Sequence, residues 1–400
     1  METARERIRK VLSHQPTEQL AIDFGSSGST GVSAFCYENL KNYLGIDKEE
    51  LTEIYDLWLM QANISPAMLE RFGGDLLQIP HMKPSFGCER NKLKRMEIKG
   101  IPFLVPEAFS PVENKGNLEV YQNGILTAKM PSGGFYFDMI AHPYSDIEEV
   151  EEIDSLEINP MPEEEINYLE EAAKRLYETT DKSLFYYYPR KIFEDGIQNW
   201  GFEEFLVQML TNEEMVYHYF ERLVEVYKTD LERILSRIGK YIDMIRFVDD
   251  LGSQNNTLTS PSLYRDLIKP FHKELFSTVK EKAPDVKVAL HSCGSIRSII
   301  PDIIESGVDV LNPVQISADN MNPRTLKEEF GDKIVFWGGG ANMQFTAEKC
   351  TTEELKAEVD SLIKIFSRDS GYIFSQVHAF QANVKPETVI AVMDTALKYR

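Results

Sequence analysis

VKVALHSCGSIRSIIPDIIESGVDVLN, residues 286–312, reads as a strand, a polar turn, a helix and a second strand. VKVAL is short, apolar and β-branched, as a strand buried on both faces is. Ser295 is placed to cap a helix IRSIIPDIIES, and Gly307 ends it directly before VDVLN. Pro301, about two turns in, should bend that helix. A strand and helix followed at once by another strand is the repeat unit of a parallel α/β fold.

The rhythm extends in both directions. LAID (20–23), DLLQI (75–79), LFYYY (184–188) and MIRFV (244–248) precede the segment, and IVFWG (334–338) and YIFSQV (372–377) follow it. With VKVAL and VDVLN they make eight candidate strands, which predicts a (β/α)8 TIM barrel, one domain over residues 1–400. Residues 82–182 exceed one βα connection. There KRMEIKGIPFLV and LEVYQNGILTAKM look like hairpins, with Asn123-Gly124 as the turn signal, before an acidic helix. This small β-rich insertion follows the second strand and emerges on the face where barrel enzymes build their sites, as wall, lid or decoration.

Composition narrows the function. A formal net charge of −21 argues against nucleic acid and anionic membrane as partners. The four cysteines, Cys36, Cys88, Cys293 and Cys350, form no CxxC pair and no disulfide framework. METARERIRKVLSHQP is a charged amphipathic helix rather than a signal sequence, so the expected compartment is the cytoplasm. A homodimer is compatible with the sequence without being dictated by it.

Barrel enzymes place reacting groups just beyond their strands. Here those positions hold Asp23, His81, Tyr188 with Arg190, Asp249 with Asp250, His291 with Cys293, Asn312 with Gln315, Asn342, and His378 with Gln381. His291 and Cys293 alternate off one strand end and share a side. Imidazole with thiolate suits zinc, and a helix N-terminus just beyond Cys293 would favour the thiolate. His378, after the eighth strand, is preferred over Cys350 as third ligand, although its ring must lean across the mouth to reach the pair. Spacing alone leans toward a plainer reading, a strand-end histidine paired with a carboxylate beside an inert buried thiol.

LAIDFGSSGSTGVSA (20–34), VDDLGSQNNTLTSPSLYRDLIKPFHKEL (248–275), HSCGSIRSIIPDIIESGVDVLNPVQ (291–315), WGGGANMQ (337–344) and GYIFSQVHAFQANVKPETV (371–389) run in the same order as in a known superfamily. The chain resembles the uroporphyrinogen decarboxylase superfamily, in its branch of cobamide-dependent methyltransferases acting on coenzyme M and related thiols. In that branch an H-x-C pair and a late cysteine bind zinc. The resemblance implies ligand roles for His291 and Cys293, with His378 where the late cysteine falls. Authentic uroporphyrinogen decarboxylases carry an early R-x-A-G-R-Y segment that grips substrate carboxylates, and LAIDFGSSGSTG stands in its place.

The resemblance implies zinc on His291, Cys293 and His378 and a methyl group moving between a small thiol, methoxy or methylamine-type substrate and a separate corrinoid protein. No D-x-H-x-x-G corrinoid signature is present, so cobamide is expected on that partner. Asp250 and Tyr188 are the candidate catalytic side chains, with Asp23, Gln254, Gln315 and Asn342 as substrate-binding candidates. A mouth lined by Asp249, Asp250, Tyr188 and Trp200 would suit a cationic or phenolic donor. The alternative is a metal-independent decarboxylase in which Asp23, Tyr188 and His378 bind and protonate substrate. A third reading is a barrel that binds a corrinoid or tetrapyrrole without turnover.

Overall fold

The computed structural model describes residues 2–400. Its central sheet has eight parallel strands. In chain order they are β1 (Ala21–Ile22), β2 (Leu76–Gln78), β3 (Ser183–Tyr187), β4 (Met244–Val248), β5 (Lys287–His291), β6 (Val310–Asn312), β7 (Val335–Trp337) and β8 (Tyr372–Phe374). Each pairs with its sequence neighbour from β2 to β8, and β8 pairs with β1. The ring is joined between β1 and β2 by Asp75 N–H donating to Ile22 O, 2.7 Å. This is the (β/α)8 barrel that the strand rhythm predicts.

Strand parity sorts side chains into two shells. Ala21, Leu76, Phe185, Met244, Ala289, Val310, Val335, Trp337 and Ile373 meet in one buried cluster inside the ring. Ile8, Val11 and Leu12 of the helix Ala4–Leu12 join the same cluster, so this amphipathic helix plugs the floor of the barrel. Two residues further along seven of the strands, on the same inward row, stand Asp23, Gln78, Tyr187, Arg246, His291, Asn312 and Ser375, while β7 has Trp337 there. Apolar below and polar above, the interior itself points to the C-terminal mouth as the place for chemistry.

After β2 the chain forms the hairpin Leu93–Ile98/Ile101–Pro106 and an antiparallel sheet of Val112–Asn114, Asn117–Gln122, Ile125–Met130 and Asp138–Met139. Asn123 and Gly124 both have positive φ, 51° and 80°, as a two-residue hairpin turn requires. The excursion is tied to the segment between β1 and β2, where Leu104 N–H donates to Thr52 O and Phe137 N–H to Trp58 O. The acidic helix Glu163–Thr179 is different in kind: it packs on β3 as a ring helix of the barrel.

The helix predicted over 296–306 is shorter than expected. A 3-10 turn, Arg297–Ile299, leads into Ile300–Glu305. Pro301 therefore lies in the first turn, where its missing N–H costs nothing, and bends no helix. Ser295 is no cap, because its hydroxyl donates to Asp319 O at 2.6 Å. Among the described residues no helix is long and apolar enough to cross a membrane.

Candidate metal centre

His291 ends β5 and points into the mouth. Its Nδ1 lies 2.7 Å from Asn312 Oδ1. The amide cannot be turned the other way, since Asn312 Nδ2 donates to Trp337 O (3.0 Å) and its Oδ1 also accepts from Ser29 Oγ (2.9 Å). His291 Nδ1 must therefore carry the proton, which leaves the Nε2 lone pair facing the site. Burial, helped by nearby Arg246, pushes the His291 pKa down to about 3, so the ring is neutral, as a ligand must be.

Nε2 of His291 is 3.5 Å from Cys293 Sγ. The loop after β8 brings His378 to the same point, with 6.4 Å between the two imidazole centroids. One donor atom from each of His291, Cys293 and His378 lies within 4.8 Å of the others. Ligands of one tetrahedral zinc, at about 2.0 Å for nitrogen and 2.3 Å for sulfur, stand roughly 3.5 Å apart. The trio thus fits such an ion with small closure, and Cys350, at the end of the short helix Thr346–Lys349, is not part of it.

The backbone around Cys293 is pinned from three sides. Its N–H donates to Asp250 Oδ1 (2.7 Å), and the next N–H, of Gly294, donates to Gln315 Oε1 (2.8 Å). Gly294 has φ +87°, and a Cβ there would lie 2.3 Å from Gly252 C, so only glycine lets the loops after β4 and β5 cross. The expected thiolate is corrected: burial first, then the Asp250 and Glu194 carboxylates, pushes the Cys293 thiol well above its usual range. The helix beyond it, Ile300–Glu305, has only six residues and follows a 3-10 turn rather than Cys293 itself.

Asp250 belongs to the site, 3.6 Å from His291 Nε2. Asp249, one residue earlier, faces outward: it accepts from Ile192 N–H and Glu194 N–H at the start of helix Phe193–Trp200, and lies 2.8 Å from His272 Nε2. Tyr188 is likewise on the wrong parity, fully buried outside the ring with its hydroxyl on Tyr227 O (3.0 Å). Its neighbour Tyr187 takes the inward row. Trp200 is core, its indole N–H on Ile147 O.

The remaining candidates brace the mouth. Asp23 is fully buried, accepting from Trp337 Nε1 (2.9 Å) and Ser26 N–H (3.2 Å). Gln254 and Gln315 bond each other (3.0 Å) and bridge the loops after β4, β5 and β6, Gln254 by donating to Ser317 O and Gln315 by accepting from Gly294. Asn342 caps a turn, accepting from Gln344 and Phe345 N–H.

Sequence reading gave no role to three groups. Asn312 stood among the strand-end polar residues without being linked to His291. Lys191 and Glu194 form a nearly buried ion pair, and Glu194 Oε1 accepts from Asp250 N–H (2.8 Å). Burial raises the Glu194 carboxyl to about 7, against the pull of Lys191 and with help from Asp250. Arg246 lay hidden inside the apolar-looking strand MIRFV, where a lone charge was the signal.

A parallel barrel with a two-histidine, one-cysteine donor set at its C-terminal mouth defines the class: a (β/α)8 barrel with a candidate metal centre. Residues 137–399 match the family model described as uroporphyrinogen decarboxylase (URO-D), and the chain belongs to that family. The uroporphyrinogen decarboxylase of Chlorobium phaeobacteroides is 25% identical over 211 residues, 51% of this chain and 55% of that one. That of Chlorobium phaeovibrioides is 29% identical over 167 residues, 39% and 44% of the two chains. The chain thus spans about half the length of these curated relatives. Among solved structures, a methyltransferase from Methanosarcina mazei superposes over 100% of this chain and 99% of its own, with a TM-score of 0.62 at 14% identity, a likeness of fold.

Proposed function

We propose that this protein is a zinc-dependent methyltransferase that moves a methyl group between a small substrate and the corrinoid cofactor of a separate protein. The observation that carries the reading is the convergence of His291, Cys293 and His378, with the Nε2 lone pair of His291 turned inward by Asn312. Zinc bound there would supply a Lewis acid with a further position open to a substrate thiol or ether oxygen. Asn312 holds His291 in the required tautomer, and Gln315 and Asp250 hold the Cys293 loop. Asp250, with its side chain 41% exposed and 3.6 Å from His291 Nε2, would take or return the substrate's proton. The corrinoid partner would present its cofactor over the same mouth.

The metal-independent decarboxylase reading draws support from the names of the curated relatives. Two of its three residues count against it, since Tyr188 faces away from the site and both Asp23 oxygens are engaged within the protein. Zinc stoichiometry on protein purified without chelator separates the readings. About one zinc per chain is expected, lost in both Cys293→Ala and His378→Ala. Active wild-type protein without zinc would remove the methyl-transfer reading and leave decarboxylation.

A further inference from the structure

Arg246 is 4% exposed, in the middle of β4 and on the inward row. Its Nη2 donates to Ser29 Oγ (2.9 Å), while Nε is buried with no hydrogen-bond partner. The guanidinium carbon lies 5.7 Å from the centre of the Tyr187 ring. Among the described residues no carboxylate pairs with it. Asp250 takes the Cys293 amide, Glu194 pairs with Lys191, and Asp23 takes Trp337. A buried guanidinium without a carboxylate is costly, and a chain needing only a filled barrel would carry Leu or Met there.

Tyr187, on the same inward row, also lines a neighbouring cavity of about 360 Å³ whose wall includes neither Arg246 nor the metal donors, so what calls for a ligand is the arginine's own unpartnered Nε inside the ring. We infer that Arg246 recognises a carboxylate on the small molecule this site accepts, so that the substrate enters as an anion with its charge held inside the ring. The planar fork of a guanidinium matches a carboxylate, and the low-dielectric surroundings strengthen the contact. The expectation of a cationic donor is thereby reversed. The inference deepens the small-molecule reading of the same mouth, and it stands on the arginine's surroundings rather than on zinc.

The test is titration calorimetry with two probes of equal size, 3-mercaptopropionate and 3-mercaptopropionamide, on zinc-loaded and on chelator-treated protein. Wild type is expected to bind the acid at least thirtyfold more tightly than the amide. Arg246→Gln, which keeps a donor for Ser29, should bring the ratio to about one with the amide's affinity and the zinc content unchanged, and Arg246→Lys should retain an intermediate ratio. An arginine that only positioned Ser29 and Asn312 would move zinc affinity and leave the ratio alone. A wild-type ratio near one, or a preference that survives in Arg246→Gln, overturns the inference; if that variant does not fold, an undiminished ratio in Arg246→Lys overturns it instead. An acid preference that persists without zinc upholds it where the metal reading has failed. Zinc-dependent binding of the amide with no acid preference does the reverse.

Discussion

Asn312 decides which nitrogen of His291 faces the mouth, and that makes it a sharper test of the site than the ligands themselves. Asn312→Leu keeps the volume and removes the acceptor for Nδ1–H, freeing the ring to change tautomer. Zinc affinity should fall about 10–100-fold with the fold intact, measured by competition with a chromophoric chelator. The same assay carries a pH prediction. His291 is already neutral and releases no proton on binding, and burial holds His378 below its usual range. Cys293, with its thiol pushed up, must lose one. Apparent affinity should therefore rise about tenfold per pH unit from pH 6 to 8 and weaken as pH falls; a flat profile would exclude the thiol as a ligand. At this scale the sequence showed the donors but not their orientation. Tyr188 stands at the end of the predicted strand LFYYY, but a run of three tyrosines does not reveal which parity faces in, and only the register against β4 gives that place to Tyr187. Arg246 was passed over because its neighbours fit a buried strand.

Elements were more legible than residues, because apolar runs of strand length separated by helices follow directly from burial on both faces of a parallel sheet. All eight runs became barrel strands, and Asn123-Gly124 became the turn it signalled. Helix ends were less so: Ser295 bonds across to Asp319, a contact that no local pattern encodes. The loop after β5 is where element geometry bears hardest on the site. Gly294→Ala would set a methyl group against the Gly252 backbone in a left-handed conformation, forcing the two loops apart. A stability loss of roughly 2–4 kcal/mol is expected in denaturant unfolding. Zinc content should fall with it, since Cys293 is held by the same crossing. A variant that lost stability but kept full zinc would show that Cys293 is positioned by β5 alone.

His291 and His378 are distant along the chain and meet because the closed ring sets the loops after β5 and β8 over one mouth. The barrel that brings them together is held by its own core. The interior cluster, the helix Ala4–Leu12 beneath it and the large outer core lie apart from the metal donors. Asp75 further pins the floor with ion pairs to Arg7 (2.7 Å) and Arg400 (2.8 Å). Zinc should then stabilise the molecule only by mass action. Free zinc at a thousandfold its dissociation constant adds about 4 kcal/mol. A chain of 400 residues unfolds with an entropy worth about 0.8 kcal/mol per degree, at roughly 2 cal/mol/K per residue. Chelation should therefore lower Tm by about 5 °C and leave a cooperative transition with unchanged far-ultraviolet circular dichroism. A structural zinc behaves differently, because the fold is lost with the metal. A fall of more than about 15 °C, or a loss of helical signal on chelation, would mean that the trio holds the mouth together and that the zinc is structural.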